Sequence, residues 1–126
     1  MISFDDFKTE DGSPIYLQIV RHVKRGVVAG TIRDGDELPS RRMLSALLGV
    51  NPNTVQKAYR MLEEEGLVQS RAGAISFVAL DAGAAERVRR ELTESEARRF
   101  AAAMRGMGLT KEEAAALLEK VWGDAE

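Results

Sequence analysis

The sequence predicts a mostly α-helical fold with one small β-hairpin: an N-terminal winged helix-turn-helix followed by a short C-terminal helical dimerisation segment. Three observations predict it. The run Leu38 to Val68, LPSRRMLSALLGVNPNTVQKAYRMLEEEGLV, holds two short helical patterns joined at a glycine. Directly after it, the apolar period shortens from helical to strand-like on either side of Arg71, Ala72 and Gly73. From Asp81 the composition turns to Ala, Arg and Glu, the mixture of exposed helices. The boundaries that follow are an arm or strand over 1–13, a winged helix-turn-helix over 14–80 and an α-helical segment over 81–126.

Met1 to Ser13 alternates apolar and polar residues at Ile2, Ser3, Phe4 and Asp5, the pattern of a short strand or arm. Asp5, Asp6, Glu10 and Asp11 make it acidic, which keeps it off a polyanion and turns its apolar residues toward the body or a partner subunit. The first helix runs from about Pro14 to Ala29, with Tyr16, Ile19, Val20, Val23 and Val27 inward; Gly30 stops it, and Asp34, Gly35 and Asp36 make the next turn. Ser40 caps a helix over Arg41 to Leu48, with Leu44, Leu47 and Leu48 inward, and Gly49 permits a sharp turn. Arg41 and Arg42 stand in the first turn of that helix. A cation there opposes the helix dipole, so helix stability does not account for the pair. A phosphate partner does, and solubilising surface charge is the plainer alternative.

Asn51 and Pro52 open the second helix. Asn accepts a hydrogen bond from a free backbone N–H, and Pro at the first helical position has no N–H to lose. Val55, Ala58, Tyr59 and Leu62 then share one face at i, i+3, i+4 and i+7. The other face offers Asn53, Thr54, Gln56, Lys57 and Arg60. Asn and Gln bond adenine bidentately, Thr reaches a base or a thymine methyl, and Lys and Arg take guanine or phosphate. No acid occurs from Pro39 to Arg60, and the run Glu63, Glu64, Glu65 starts only beyond the groove-facing turns, before Gly66 ends the helix. An amphipathic helix with a solvated polar face shares this periodicity. The turn, the preceding helix and the acid-free face favour a recognition helix placed in a DNA major groove. Leu67, Val68 and Gln69 read as one strand and Ile75 to Val78 as another, making a hairpin wing with Arg71 at its tip, in reach of a phosphate or the minor groove.

These residues resemble the GntR family of bacterial transcription regulators over Pro14 to Val78, roughly half the chain. The family's Pro-hydrophobic-Tyr-x-Gln-Ile helix is matched by Pro14, Ile15, Tyr16, Leu17, Gln18 and Ile19, and its Leu-Pro-Ser-x-Arg by Leu38, Pro39, Ser40 and Arg42. The Asn-Pro-Asn-Thr-Val-Gln-Lys-Ala-Tyr run from Asn51 is similar to the YtrA subfamily. The resemblance implies DNA contacts at Arg42, at Asn51, Pro52, Asn53 and Thr54, at Gln56 and Lys57, and at the wing glycine Gly73. With Arg41, Arg60 and Arg71 from the charge pattern, these form the expected interface with a double-stranded operator. The family wing commonly reads Arg-x-Gly-Lys-Gly-Thr-Phe-Val; here Ala74 and Ile75 stand where the basic residue and second glycine belong, so the wing is expected to contribute less. Met43 replaces a frequent acid, which removes a capping box from the first helix of the motif.

The chain has 126 residues and a formal net charge of −2, which argues against generalised nucleic-acid coating but not against a local reader on one face. It has no Cys, so no disulfide framework and no Cys-based metal site. No signal-peptide order or membrane-length apolar run is present, so a cytoplasmic protein without membrane contact is expected.

In the C-terminal segment Ala84, Ala85, Val88 and Leu92 form one stripe, and Ala97, Phe100, Ala101 and Met104 another. Thr93 with Glu96 has capping-box spacing, and so a break or a kink is expected at Leu92–Thr93. Gly106 and Gly108 end this stretch. Thr110 caps a last helix with Glu113 at its third position, and Ala114, Leu117, Leu118 and Val121 inward. Two short helices by themselves enclose no ordinary ligand pocket, so no cofactor is expected, and a small-molecule effector is possible but not indicated. Their stripes need burial all the same. The same segment of a second chain is the expected cover, through Val88, Leu92, Phe100, Met104, Leu117, Leu118 and Val121; packing back on the chain's own winged helix is the alternative. The resemblance implies the first, since a short dimerising tail marks the YtrA subfamily.

An enzyme is not expected. His22 is the only histidine, no nucleophile–base arrangement or phosphate loop is visible, and no catalytic or metal-binding residue is assigned. Aminotransferase-like regulators carry related winged helices, but this chain lacks the length for that domain and any pyridoxal-phosphate lysine context. The expectation is a homodimeric, sequence-specific repressor on a pseudo-palindromic operator, with transporter operons and its own gene among the targets the resemblance suggests. The alternative is a winged-helix protein-interaction module without specific DNA binding. It is disfavoured by Asn53, Gln56, Lys57 and Arg60, and supported only by the weakened wing.

Overall fold

A computed structural model describes residues 1–10, 12–71 and 75–124. Among these residues five α-helices and a two-stranded hairpin follow one another: α1 (Ile15–Ala29), α2 (Arg41–Leu48), α3 (Pro52–Glu64), β1 (Val68–Arg71), β2 (Ile75–Val78), α4 (Ala84–Gly106) and α5 (Lys111–Val121), with a 3-10 turn over Trp122–Asp124. The chain divides into two compact units, Met1–Arg89 and Arg90–Glu126.

The first unit is a winged helix. Ile19, Val20, Val23 and Val27 of α1, Leu44 of α2 and Val55, Ala58, Tyr59 and Leu62 of α3 form one core with Leu67, Val68 and Val78 from the wing. Helix α1 ends where Gly30 turns left-handed at φ 81°, and α2 ends the same way at Gly49, φ 68°. A side chain would strain both turns, which explains glycine at the hinge of the motif. Leu47 departs from its expected place. Leu44 is buried, whereas Leu47 is 57% exposed. One short helix meets the core along a single row, and i+3 from Leu44 falls on its flank.

The hairpin is antiparallel, with Val68 opposite Val78 and Arg71 opposite Ile75. Its outer edge is covered by a segment that sequence periodicity did not mark as a strand. Glu37 bridges to Phe77, while Leu38 N–H donates to the Ser76 carbonyl at 2.9 Å and Val78 N–H to that of Asp36 at 2.8 Å. Ile2 N–H donates in turn to the Glu37 carbonyl at 2.8 Å. Pairing the exposed N–H and C=O groups of β2 in this way removes a sticky edge.

The N-terminal segment is an arm that packs on the body, one of the two covers open to its apolar residues, and no strand forms there among the described residues. Ile2 and Phe4 enter the core. The Phe4 ring stacks on His22 at 4.4 Å between centroids, and Phe7 meets the same imidazole edge-on. His22 Nε2–H donates to the Ser3 carbonyl at 2.9 Å, so the only histidine pins the arm. Buried Gln18 completes the attachment. Its amide N–H groups donate to the carbonyls of Glu10 and Ser13, both at 2.8 Å, and its Oε1 accepts from Glu10 N–H.

Helix α4 is continuous through Leu92 and Thr93, so of the expected break or kink the break does not occur; Thr93 Oγ1–H donates to the Arg90 carbonyl instead of capping a new helix. Exposed residues of high helix propensity leave nothing there to stop the helix. In the second unit Gly108, at φ 83°, turns the chain, and Thr110 caps α5 with a complete capping box to Glu113. No residue of α5 is buried.

Candidate nucleic-acid interface

The site is built on α2 and α3. Ser40 Oγ accepts from Met43 N–H at 3.0 Å to start α2, and Asn51 Oδ1 accepts from Asn53 N–H at 2.8 Å to start α3, with Pro52 at its first position. The two starts are tied by Tyr59. Its ring is buried in the core, and its hydroxyl donates to the Pro39 carbonyl at 2.7 Å, one residue before the α2 cap. Burial pushes the Tyr59 phenol well above its ordinary pKa, an effect the Arg41 charge partly offsets, so the hydroxyl stays protonated and keeps donating. Periodicity marked Tyr59 only as apolar and inward; the signal that a tie exists is that a buried phenol needs an acceptor.

Tyr59→Phe is expected to cost about 1–3 kcal/mol by leaving the Pro39 carbonyl unpaired. Urea unfolding should show a lower midpoint at unchanged slope. The folded state holds this proton more tightly than the unfolded chain does. The stability lent by the hydroxyl is therefore complete below the ordinary phenol value of 10.0 and shrinks as pH rises past it, so the gap between wild type and variant should narrow in alkali.

With Val55, Ala58, Tyr59 and Leu62 turned inward, α3 presents Asn51, Pro52, Asn53, Lys57 and Arg60 exposed, and Thr54 and Gln56 half-exposed, on the predicted face. Two of the three acids beyond it are engaged by other elements. Glu65 pairs with Lys24 of α1 at 2.6 Å, and Glu63 accepts from the Ser70 hydroxyl of the wing. Lys57 Nζ lies 4.1 Å from the centre of the Tyr16 ring. The two arginines of α2 differ. Arg42 is exposed, whereas Arg41 is half-buried, with its Nε enclosed and without a hydrogen-bond partner. Arg42 is therefore the better placed for a phosphate.

On the wing, Arg71 is the last residue of β1 and lies over the Phe77 ring at 4.3 Å. The two are diagonal neighbours across the hairpin, since Arg71 faces Ile75 and Phe77 stands two residues on. Gly73 lies outside the described residues. Of the expected interface residues in the C-terminal segment, Val88 is buried in the core of the first unit, a correction: its apolar surface is already covered within the chain. Leu92, Phe100 and Met104 are half-exposed, and Leu117, Leu118 and Val121 are exposed. Among the described residues no cluster of His, Asp or Glu is arranged to hold a metal, and no helix is long and apolar enough to cross a membrane.

Residues 15–78 match the model of the family "Bacterial regulatory proteins, gntR family". The HTH-type transcriptional regulator YhcF of Bacillus subtilis is 36% identical over 108 residues, covering 86% of this chain and 89% of YhcF. The HTH-type transcriptional repressor YtrA of the same organism is 40% identical over 70 residues, 56% of this chain and 54% of that one. Among solved structures, a regulator from Listeria monocytogenes superposes with a TM-score of 0.74 at 34% identity, covering 90% of this chain and 99% of the other.

Proposed function

The chain belongs to the gntR family of bacterial regulatory proteins, in its YtrA-like branch, and from that premise we propose that it is a homodimeric repressor acting by occlusion of a promoter. Its class, a DNA-binding transcription regulator and not an enzyme, follows from the family itself. The observation that carries the rest is the α3 surface. Asn53, Gln56, Lys57 and Arg60 form an outward face free of acids up to Arg60, on a helix whose opposite face is sealed in the core. Amide and guanidinium groups so held can read base edges, while Arg42, at the start of α2, takes a phosphate and sets the register. Arg71 adds a cation from the wing.

Repression is supported by the similarity to YtrA, a transcriptional repressor. Dimerisation is supported by the apolar residues Leu117, Leu118 and Val121, exposed on a helix none of whose residues is buried. A two-fold dimer carries two recognition helices to a pseudo-palindromic operator, with half-sites about one helical turn apart. Transporter operons and the protein's own gene are the targets proposed, in the cytoplasm.

The test is fluorescence-anisotropy titration of the duplex upstream of its own gene against a scrambled duplex at several salt concentrations, followed by random-site selection. Two chains per site, tight binding above the control and a steep salt slope are expected. Equal weak binding to every duplex, with nothing recovered by selection, would instead assign the fold to protein interaction. Gln56→Ala is expected to change base preference at one position per half-site by about 1–3 kcal/mol, with little effect on random duplex. Equal losses on both duplexes would remove Gln56 from the reading of bases.

A further inference from the structure

Lys57 sits at the centre of the outward face of α3. Asn53 is one turn before it and Arg60 one turn after, so the three share one side of the helix. The Lys57 ammonium meets an aromatic ring from another helix, with Nζ 4.1 Å from the centre of Tyr16. Tyr16 belongs to α1 and stands at the N-terminal end of the inward stripe that continues through Ile19, Val20, Val23 and Val27. Those residues are buried, but Tyr16 is only half-buried, packed against the rim of the core. Its ring is thus held by the body of the fold while one face meets the ammonium.

We propose that Tyr16 is a positioning residue for DNA binding: its ring holds the Lys57 ammonium on the outward face of α3 before DNA arrives. The proposal rests on the reading of Lys57 as a DNA contact. A free lysine has four rotatable bonds and loses much of that freedom when it grips a phosphate or a guanine. A cation over a ring face is attracted by the ring quadrupole yet keeps N–H donors on its far side. The ring therefore removes part of the ordering cost without using up the groups that bind, which is preorganisation in the ordinary sense. An aliphatic residue at position 16 would fill the rim of the core and leave the ammonium unheld.

The test has two parts. In the wild-type chain, NMR should place the ε-methylene protons of Lys57 upfield, shifted by the Tyr16 ring current, and Tyr16→Leu should return them to ordinary lysine values. Ordinary values in the wild-type chain would overturn the proposal without any variant having to fold. The second part is a double-mutant cycle on the duplex recovered by random-site selection, using Tyr16→Leu, Tyr16→Phe, Lys57→Ala and the Tyr16→Leu/Lys57→Ala pair. Tyr16→Leu is expected to weaken binding about two- to five-fold, the scale of an exposed cation–π contact, with Tyr16→Phe close to wild type. In the Lys57→Ala background the Tyr16→Leu loss should vanish. The same loss persisting there would show that Tyr16 acts independently of Lys57 and would overturn the proposal. A loss with Lys57→Ala but none with Tyr16→Leu overturns it as well, leaving the contact itself intact. No loss with Lys57→Ala removes Lys57 from the DNA interface, and the proposal with it.

Discussion

Leu118→Asp is expected to leave the chain monomeric and to weaken binding to a two-half-site operator by about two to four orders of magnitude, the range gained when a second binding event becomes intramolecular. The reason lies in α5. Ala114, Leu117, Leu118 and Val121 follow the i, i+3, i+4, i+7 spacing of one face, and Leu117, Leu118 and Val121 remain 40%, 39% and 42% exposed. Burying each leucine side chain stabilises an interface by about 1.5–3 kcal/mol, and a two-fold axis counts every residue twice. The same symmetry would place two new carboxylates in one desolvated interface. The variant should keep its helical content, because position 118 is not part of any core within the chain. Sedimentation equilibrium and anisotropy on duplexes bearing one or two half-sites would read both effects. The expected pattern is unchanged affinity for one half-site and collapse on two. A variant that stays dimeric would place the interface elsewhere.

Arg42→Ala is expected to weaken binding to operator and random duplex alike, by about ten-fold or more, the scale of a charge-assisted hydrogen bond of about 1.5–3 kcal/mol. The slope of log affinity against log salt should shrink by about one phosphate contact per subunit. What makes this variant informative is its opposite effect on folding. Arg42 stands in the first turn of α2, where the dipole is positive, and the Ser40 cap to Met43 N–H survives the change. Losing the cation should leave stability unchanged or raise it slightly. A protein that is no less stable and yet binds DNA more weakly separates a contact from a structural role. If operator affinity falls while random duplex is untouched, Arg42 reads a base rather than a phosphate.

The α-helices of the winged domain were legible because each carries its own punctuation. Ser40, Asn51 and Pro52 mark starts, and Gly30 and Gly49 mark ends at positive φ. The outward face of α3 was legible for the same local reason, since a 3.6-residue period assigns Val55, Ala58, Tyr59 and Leu62 to one side and leaves the amide and basic residues on the other. Leu47 was not legible, because the width of the buried stripe on a short helix depends on what packs against it. Continuity of α4 past Thr93 was not legible either. Thr and Glu at capping-box spacing occur inside helices, and only the surrounding backbone decides whether they cap.

The sequence by itself determined which residues can face DNA, because helical period and local caps depend on neighbours a few positions away. It could not show which of those residues are held, because the holding groups are distant in the chain. Tyr59 bonds a carbonyl twenty residues back. Gln18 and His22 pin an arm that starts at Met1. The segment around Glu37 covers the edge of β2, Glu63 and Glu65 are drawn off by Ser70 and Lys24, and Lys57 meets the ring of Tyr16. Each of these links satisfies a buried polar group, an open strand edge or a charge, and such demands are met by whatever the packed fold brings within reach. Only the tertiary structure decides that, because burial, not sequence proximity, creates the need for a partner.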